Sequence, residues 1–207
     1  MSVSAAHFPS DRLFLLAGPC QLEDDALNLS VGEALARLAE QVPGGIVFKA
    51  SFDKANRSNV DGVRGPGLEA GLAALDRVRA ATGLPILTDV HEPAQCAAAG
   101  QVVDVLQIPA FLCRQTDLLL AAGATGKSVN VKKGQWMHPE GMKGAVRKVE
   151  AGATLAGRTV GPMAVTERGT FFGYGDLVVD MRAFARMREA CQVPAIFDGT
   201  HSVQKPG

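Results

Sequence analysis

The chain has 207 residues, 47% hydrophobic and 20% charged, a balance that excludes intrinsic disorder and is sufficient for one sizeable core. Lys and Arg total 21, as do Asp and Glu, so the net charge is zero and a general nucleic-acid or anionic-membrane binder is excluded. No apolar run reaches the roughly 18 residues of a membrane span, and residues 1–12 lack the basic and apolar regions of a secretory signal, so a cytoplasmic chain is expected.

Short apolar or β-branched runs alternate with amphipathic stretches. In chain order the pattern predicts a strand over 13–18, then a helix over 25–41 with Leu27, Val31, Leu35 and Leu38 at helical spacing. A strand over 45–50, a helix over 67–81 and strands over 85–90 and 102–108 follow. A helix over 114–122, strands over 128–132 and 162–166, a helix over 180–191 and a strand over 194–198 complete the series. Strands alternating with helices imply βαβ units and a mostly parallel α/β sheet. Without a Gly-rich nucleotide fingerprint, seven such strands point to a (β/α)8 TIM barrel rather than a doubly wound sheet. A single domain over 1–207 is expected. Barrels of this type take about 250 residues, so an eighth βα unit, roughly 60–80 residues, is expected beyond Gly207; an unclosed barrel would expose two strand edges.

Active sites of such barrels form at the C-terminal ends of the strands. Those ends carry Cys20; Lys49, Lys54, Asn56, Arg57 and Ser58; Asp89 and His91; Gln107 and Ala110; Lys132; Arg168; and Asp198 with His201. Five cations at one mouth repel each other, by about 2–3 kcal/mol per pair at about 6 Å and an effective dielectric of about 20. Any one of Lys49, Lys54, Arg57, Lys132 and Arg168 could be a solvated surface side chain. Together they call for acidic neighbours or a polyanionic ligand, such as two phosphates and a carboxylate. Cys20 alone reads as a small buried hydrophobe and His201 as a structural histidine; together they could supply two ligands to a divalent metal, fewer than a stable site needs. His91 either orients substrate or caps the following turn. The four cysteines are too scattered for a disulfide framework, and Cys96, Cys113 and Cys191 read as packing residues of a reduced chain.

Several of these segments resemble the hallmarks of the 3-deoxy-D-manno-octulosonate 8-phosphate synthase family. They are Phe-Lys-Ala-Ser-Phe-Asp-Lys-Ala-Asn-Arg-Ser at 48–58, Arg-Gly-Pro-Gly-Leu-Glu at 64–69 and Thr-Asp-Val-His-Glu at 88–92. The series continues with Gln-Ile-Pro-Ala-Phe-Leu-Cys-Arg-Gln-Thr-Asp at 107–117 and Asn-Val-Lys-Lys-Gly-Gln at 130–135. It ends with Thr-Glu-Arg-Gly at 166–169 and Asp-Gly-Thr-His-Ser-Val-Gln at 198–204. The resemblance implies a transferase that condenses phosphoenolpyruvate with D-arabinose 5-phosphate and water, in lipopolysaccharide (KDO) biosynthesis. Carried over by position, Lys54, Lys132 and Arg168 grip phosphoenolpyruvate, with Lys49, Gln107 and Ala110 lining its pocket and Asp89 and His91 among the catalytic set. Asn56, Arg57 and Ser58 take the sugar phosphate, Arg57 and Ser58 reaching a neighbouring subunit of a homotetramer.

One branch of that family has Asn after the first strand and needs no metal. Cys20 and His201 resemble the other branch, which binds a divalent cation such as Zn, Fe or Mn through these two and a later Glu and Asp, expected beyond Gly207. The related seven-carbon synthases share the barrel and the phosphoenolpyruvate chemistry but lack the Lys-Ala-Asn-Arg-Ser segment; they are the rival activity, and an inactive binding module is the rival outside enzymes. Asp176 stands where the family is expected to have Asn, and 150–163 reads as a loop insertion.

Overall fold

A computed structural model of the protein describes residues 7–204. The chain runs β1 (Leu15–Gln21), α1 (Asp25–Ala39), β2 (Ile46–Ser51), α2 (Leu68–Thr82), β3 (Ile86–Asp89), α3 (Pro93–Val102) and β4 (Val105–Ile108). It continues with α4 (Thr116–Ala124), β5 (Ser128–Lys132), α5 (Met142–Leu155), β6 (Met163–Glu167), β7 (Thr170–Phe172), β8 (Asp176–Val178), α6 (Ala183–Cys191) and β9 (Ala195–Phe197). Seven strands form one parallel sheet in the order β1-β2-β3-β4-β5-β6-β9. The sheet curls as seven staves of a (β/α)8 barrel with the helices outside, as the sequence pattern implies. Among the described residues β1 and β9 are its two edges, and a cleft of about 690 Å³ runs between them. The central strands β3 and β4 are buried along their whole length, whereas β1 and β9 are half-exposed.

Side chains alternate across a strand with period two, which sorts each stave into two faces. Outward positions such as Phe48, Ile86, Leu106, Val129 and Val165 pack against the helices in the main core. Inward positions near the strand starts are apolar: Val47, Leu87, Val105 and Ala164 form a separate cluster, closed from below by Phe8. Two residues further along each strand the inward positions become Lys49, Asp89, Gln107 and Thr166. The barrel interior therefore changes from a dry floor to a charged mouth within about 7 Å of strand rise.

Four details differ from the sequence reading. Residues 102–104 end α3 and lead into β4, so the strand predicted over 102–108 begins at Val105; Glu92 starts that helix, its N–H donating to Gln95 Oε1 at 3.3 Å. The first strand runs to Gln21 and includes Cys20, with a register shift against β2 between Ala17 and Cys20. Residues 150–155 are the last turns of α5 and Met163 opens β6, so the loop read over 150–163 is confined to 156–162. An antiparallel hairpin, β7 with β8, follows β6; Asp176 faces Phe172 across it and is exposed. Among the described residues no helix is long and apolar enough to cross a membrane.

Candidate active site

A cavity of about 630 Å³ opens at the C-terminal mouth, and its walls include every strand-end residue singled out above except Asp198, which lines the neighbouring cleft. Strand ends supply most of them. In β2, Lys49 is half-buried and sends Nζ to the carbonyl of Cys20 at 2.9 Å and to Ser51 Oγ at 3.2 Å. Lys54, just past the strand, donates to Ser51 Oγ at 2.9 Å and to Cys20 Sγ at 3.1 Å. Ser51 in turn donates to Asp89 Oδ1. The other Asp89 oxygen lies 3.2 Å from His91 Nε2. Burial would push the Asp89 carboxyl up, but the bond from His91 and the charges of Lys49 and Lys54 outweigh it and hold it well below the usual carboxylate range. Burial and the neighbouring Lys49 charge lower Lys54 from its ordinary value.

The ring of His91 packs edge-on against Phe52, and its Nδ1 is buried without a partner. Capping of the next turn falls to Gln95, whose Oε1 takes the His91 N–H at 2.8 Å. Beneath the charged groups lies a neutral ladder: Thr166 Oγ1 donates to Asn130 Oδ1 (2.7 Å) and Asn130 Nδ2 to Gln107 Oε1 (3.1 Å). Ala110 opens a single 3-10 turn after β4 and is buried at the cavity wall.

Opposite, Lys132 Nζ pairs with Asp198 Oδ2 at 2.5 Å, both side chains being 12% exposed. Burial lowers the Lys132 ammonium, and Asp198 opposes the shift. Asp198 also takes His201 Nδ1 at 2.8 Å; this bond, followed by the contact with Cys20, raises the imidazole. Arg168 follows β6, buried, with Nη2 donating to Gln204 Oε1 at 2.9 Å and Nη1 lacking any partner. By contrast Asn56, Arg57 and Ser58 sit on an exposed loop at the rim. Arg57 donates to Gln21 Oε1 and, at 3.0 Å, to the Val63 carbonyl.

Four of the five cations, Lys49, Lys54, Lys132 and Arg168, therefore lie near two carboxylates, Asp89 and Asp198, which neutralise part of the cluster. The remainder, with the orphaned Arg168 donor, leaves room for an anionic ligand that supplies oxygen acceptors.

Cys20 sits at φ 68, a left-handed conformation that costs a non-glycine residue of order 1–3 kcal/mol. The strain comes with the irregular end of β1: Gly18 lies so close to β2 that a Cβ would stand 2.0 Å from the Lys49 carbonyl oxygen. The distortion turns the thiol into the mouth, where Sγ lies 3.7 Å from His201 Nε2. The contact with His201, helped by Lys49 and Lys54 and opposed by burial, draws the thiol down to about 5. Burial pushes Cys96 and Cys191 up to about 11, as inert packing thiols.

As metal ligands Cys20 and His201 fit in part. A tetrahedral ion with M–S of about 2.3 Å and M–N of about 2.1 Å separates its S and N ligands by about 3.6 Å, close to the spacing seen. Asp198 on Nδ1 leaves Nε2 free, as the carboxylate behind a ligating histidine does. Among the described residues no group of three or more His, Cys, Asp or Glu comes together, so two ligands are in place and the rest of a set is not.

Sequence reasoning passed over Ser51, Asn130, Lys133, Gln135, Thr166 and Glu167. Each lies within or beside a motif it had noted, and the alternation of faces along a strand is the signal that separates Lys132, in the mouth, from Lys133, behind it.

Fold and mouth together define a parallel (β/α) barrel with a predominantly cationic C-terminal face. The DAHP synthetase I family matches residues 8–207, and the chain belongs to it. Relatives named 2-dehydro-3-deoxyphosphooctonate aldolase occur in Nitrobacter winogradskyi, 54% identical over 100% of this chain and 70% of the relative, and in Syntrophotalea carbinolica, 55% identical over 93% and 67%. One from Rhodopseudomonas palustris strain BisB5 is 55% identical over 94% of this chain and 66% of its own length.

Proposed function

We propose that the protein condenses phosphoenolpyruvate with D-arabinose 5-phosphate and water to give 3-deoxy-D-manno-octulosonate 8-phosphate and inorganic phosphate, a step of lipopolysaccharide synthesis in the cytoplasm. One observation carries the reading: the residues named for the two phosphorylated substrates line a single cavity, with more cationic than anionic groups around it. The names of the relatives agree with it.

In this reading Lys132 and Arg168 receive the phosphate of phosphoenolpyruvate, and Lys49 and Lys54 receive its carboxylate above the Gln107–Asn130 floor. C3 of the enol attacks the sugar aldehyde carbon, water adds at C2, and the C2–O bond breaks as phosphate leaves. Holding two substrates in line supplies roughly 7–11 kcal/mol of barrier reduction, and preorganised cations stabilise the departing phosphate. Asp89 and His91 are the proton-handling pair nearest the sugar end, His91 Nδ1 being the free ring nitrogen. Cys20 and His201 would hold a divalent cation, with further ligands from residues outside these, and that ion would supply Lewis acidity toward the aldehyde. Arg57 and Ser58, exposed at the rim, reach the sugar phosphate of a neighbouring site in a homotetramer. Residues 1–207 act as one domain.

The test is a phosphate-release assay with phosphoenolpyruvate and either the five-carbon or the four-carbon sugar phosphate, alongside calorimetric binding of each. Turnover with arabinose 5-phosphate is expected. Turnover with erythrose 4-phosphate alone would replace this activity by that of the seven-carbon synthases, and binding without turnover by either sugar would mark a binding module.

A further inference from the structure

Lys133 and Glu167 are the most deeply buried pair of opposite charges among the described residues, each side chain 1% exposed, with Nζ 3.4 Å from Oε2. Removing two charges from water costs more than their attraction returns unless further bonds use the remaining polar atoms, and apolar residues of the same volume would pack as stably. Stability alone therefore does not account for the pair.

Its bonds indicate where it acts. Glu167 Oε1 accepts the backbone N–H of Gly169 at 2.7 Å, so the carboxylate bridges over Arg168 to the far side of the chain. Gly169 makes that return possible at φ 92. Lys133 Nζ donates to Thr170 Oγ1 at 3.0 Å and to the carbonyls of Gly134 and Met137, both at 3.3 Å. The last two bonds stay within the loop of Lys133 itself; the backbone adds a third tie across, from the Phe171 N–H to the Gln135 carbonyl at 3.0 Å. Residues on both sides of Arg168 are thus fastened to the loop after β5, which follows Lys132. Between those fastenings Arg168 lines the cavity with its unpartnered, buried Nη1. Burial lowers the guanidinium, and Asp198 and Glu167 offset the shift.

We propose that Lys133 and Glu167 are positioning residues: they fix the backbone on either side of Arg168 so that its free Nη1 donor meets the phosphate of phosphoenolpyruvate. The proposal rests on the reading above that Arg168 grips that phosphate. Neither residue of the pair touches the substrate.

A binding cycle on the full chain tests it, with phosphoenolpyruvate and arabinose 5-phosphate titrated separately by calorimetry. Arg168→Ala is expected to weaken phosphoenolpyruvate about 50-fold and Glu167→Gln about 10-fold, the range of a lost charge-assisted bond and of a misaimed one. The double variant should bind no more weakly than Arg168→Ala, because residues acting through one group do not add. Arabinose 5-phosphate affinity should stay within about twofold throughout. A double variant weaker by the full Glu167→Gln factor, or no effect of Glu167→Gln, overturns the proposal. An unchanged affinity in Arg168→Ala, or no binding by the wild type, instead overturns the reading of Arg168 or of the function. If Glu167→Gln does not fold, Thr170→Val removes one Lys133 bond at constant volume; about threefold weakening that vanishes beside Arg168→Ala supports the proposal, and weakening that persists there overturns it.

Discussion

Lys132 and Arg57 carry the same charge at the same cavity, but their surroundings differ. Lys132 ends a buried strand, paired with Asp198 and nearly sealed from water. Arg57 sits on an exposed loop whose neck is pinched by the Lys54 N–H to the Arg64 carbonyl (2.7 Å) and by the Asp53–Arg64 ion pair. A buried cation is held in place by its fold and disturbs the fold if removed. An exposed one is screened, and its removal leaves the fold intact. Substitutions in the two regions should therefore separate damage to structure from damage to binding.

The largest effect is expected from Lys132→Met. It leaves the Asp198 carboxylate bonded only to His201, with the Arg168 charge nearby, at a stability cost of about 3 kcal/mol by the usual range for broken buried pairs. Phosphoenolpyruvate affinity should fall about 100-fold in the same protein. Thermal unfolding and calorimetric titration measure the two losses; a Lys132→Met protein that binds normally would remove this residue from the anion site.

Asp89→Asn comes next. Its carboxylate accepts from Ser51 and lies beside Lys49, Lys54 and His91, and about 2 kcal/mol of stability should be lost with the charge. The direction with pH follows from the lowered folded value. A depressed carboxylate contributes its stability above the unfolded value near 3.9 and loses it as pH falls toward the folded one. Wild type should therefore lose stability steeply below about pH 4, whereas Asp89→Asn should lack this component of the slope. Denaturant titrations between pH 3 and pH 7 would show it; parallel curves for the two proteins would mean that folding does not lower the Asp89 carboxyl.

Cys20→Ala lies lower on the scale. If Cys20 and His201 form part of a metal site, metal content measured by elemental analysis should drop about tenfold or more, with activity falling alongside, while Cys20→Asn keeps some metal-free turnover. A wild-type rate untouched by chelator would rule the metal out of catalysis.

Legibility in the sequence follows the same division between buried strands and their surroundings. The staves were readable because β2 to β6 are short apolar runs punctuated by Gly, Pro and polar tips, and their inward positions change from Val47 and Leu87 to Lys49 and Asp89 two residues on. Residues 102–104 were misassigned because an apolar helix end and a buried strand start look alike over a few positions. The β7–β8 hairpin escaped because its aromatic residues lie on the surface and leave no burial pattern to read. In the mouth, residue type indicated an anion pocket, yet residue type alone could not distinguish the inward Lys132 from the outward Lys133, which the alternation of faces along the strand separates. Nor could it show that Asp198 holds both Lys132 and His201, since that contact joins two strand ends 66 residues apart in sequence.

The smallest expected change, Arg57→Ala, sharpens the comparison most. The side chain is exposed and its two acceptors, Gln21 Oε1 and the Val63 carbonyl, can turn to water, so stability should stay within about 0.5 kcal/mol of wild type. Phosphoenolpyruvate should bind as before, because Lys132 and Arg168 lie on the strand ends and do not depend on the loop. The KM for arabinose 5-phosphate should rise about tenfold, the worth of one charge-assisted contact to a phosphate dianion, and the rise should shrink as salt is added. If Arg57 acts on a neighbouring subunit's site, mixing Arg57→Ala chains with Lys132→Met chains should recover activity in the mixed assembly, since some sites there pair an intact pocket with an intact arginine. Steady-state kinetics on the mixture reads this directly; strictly proportional loss would place Arg57 in its own chain's site.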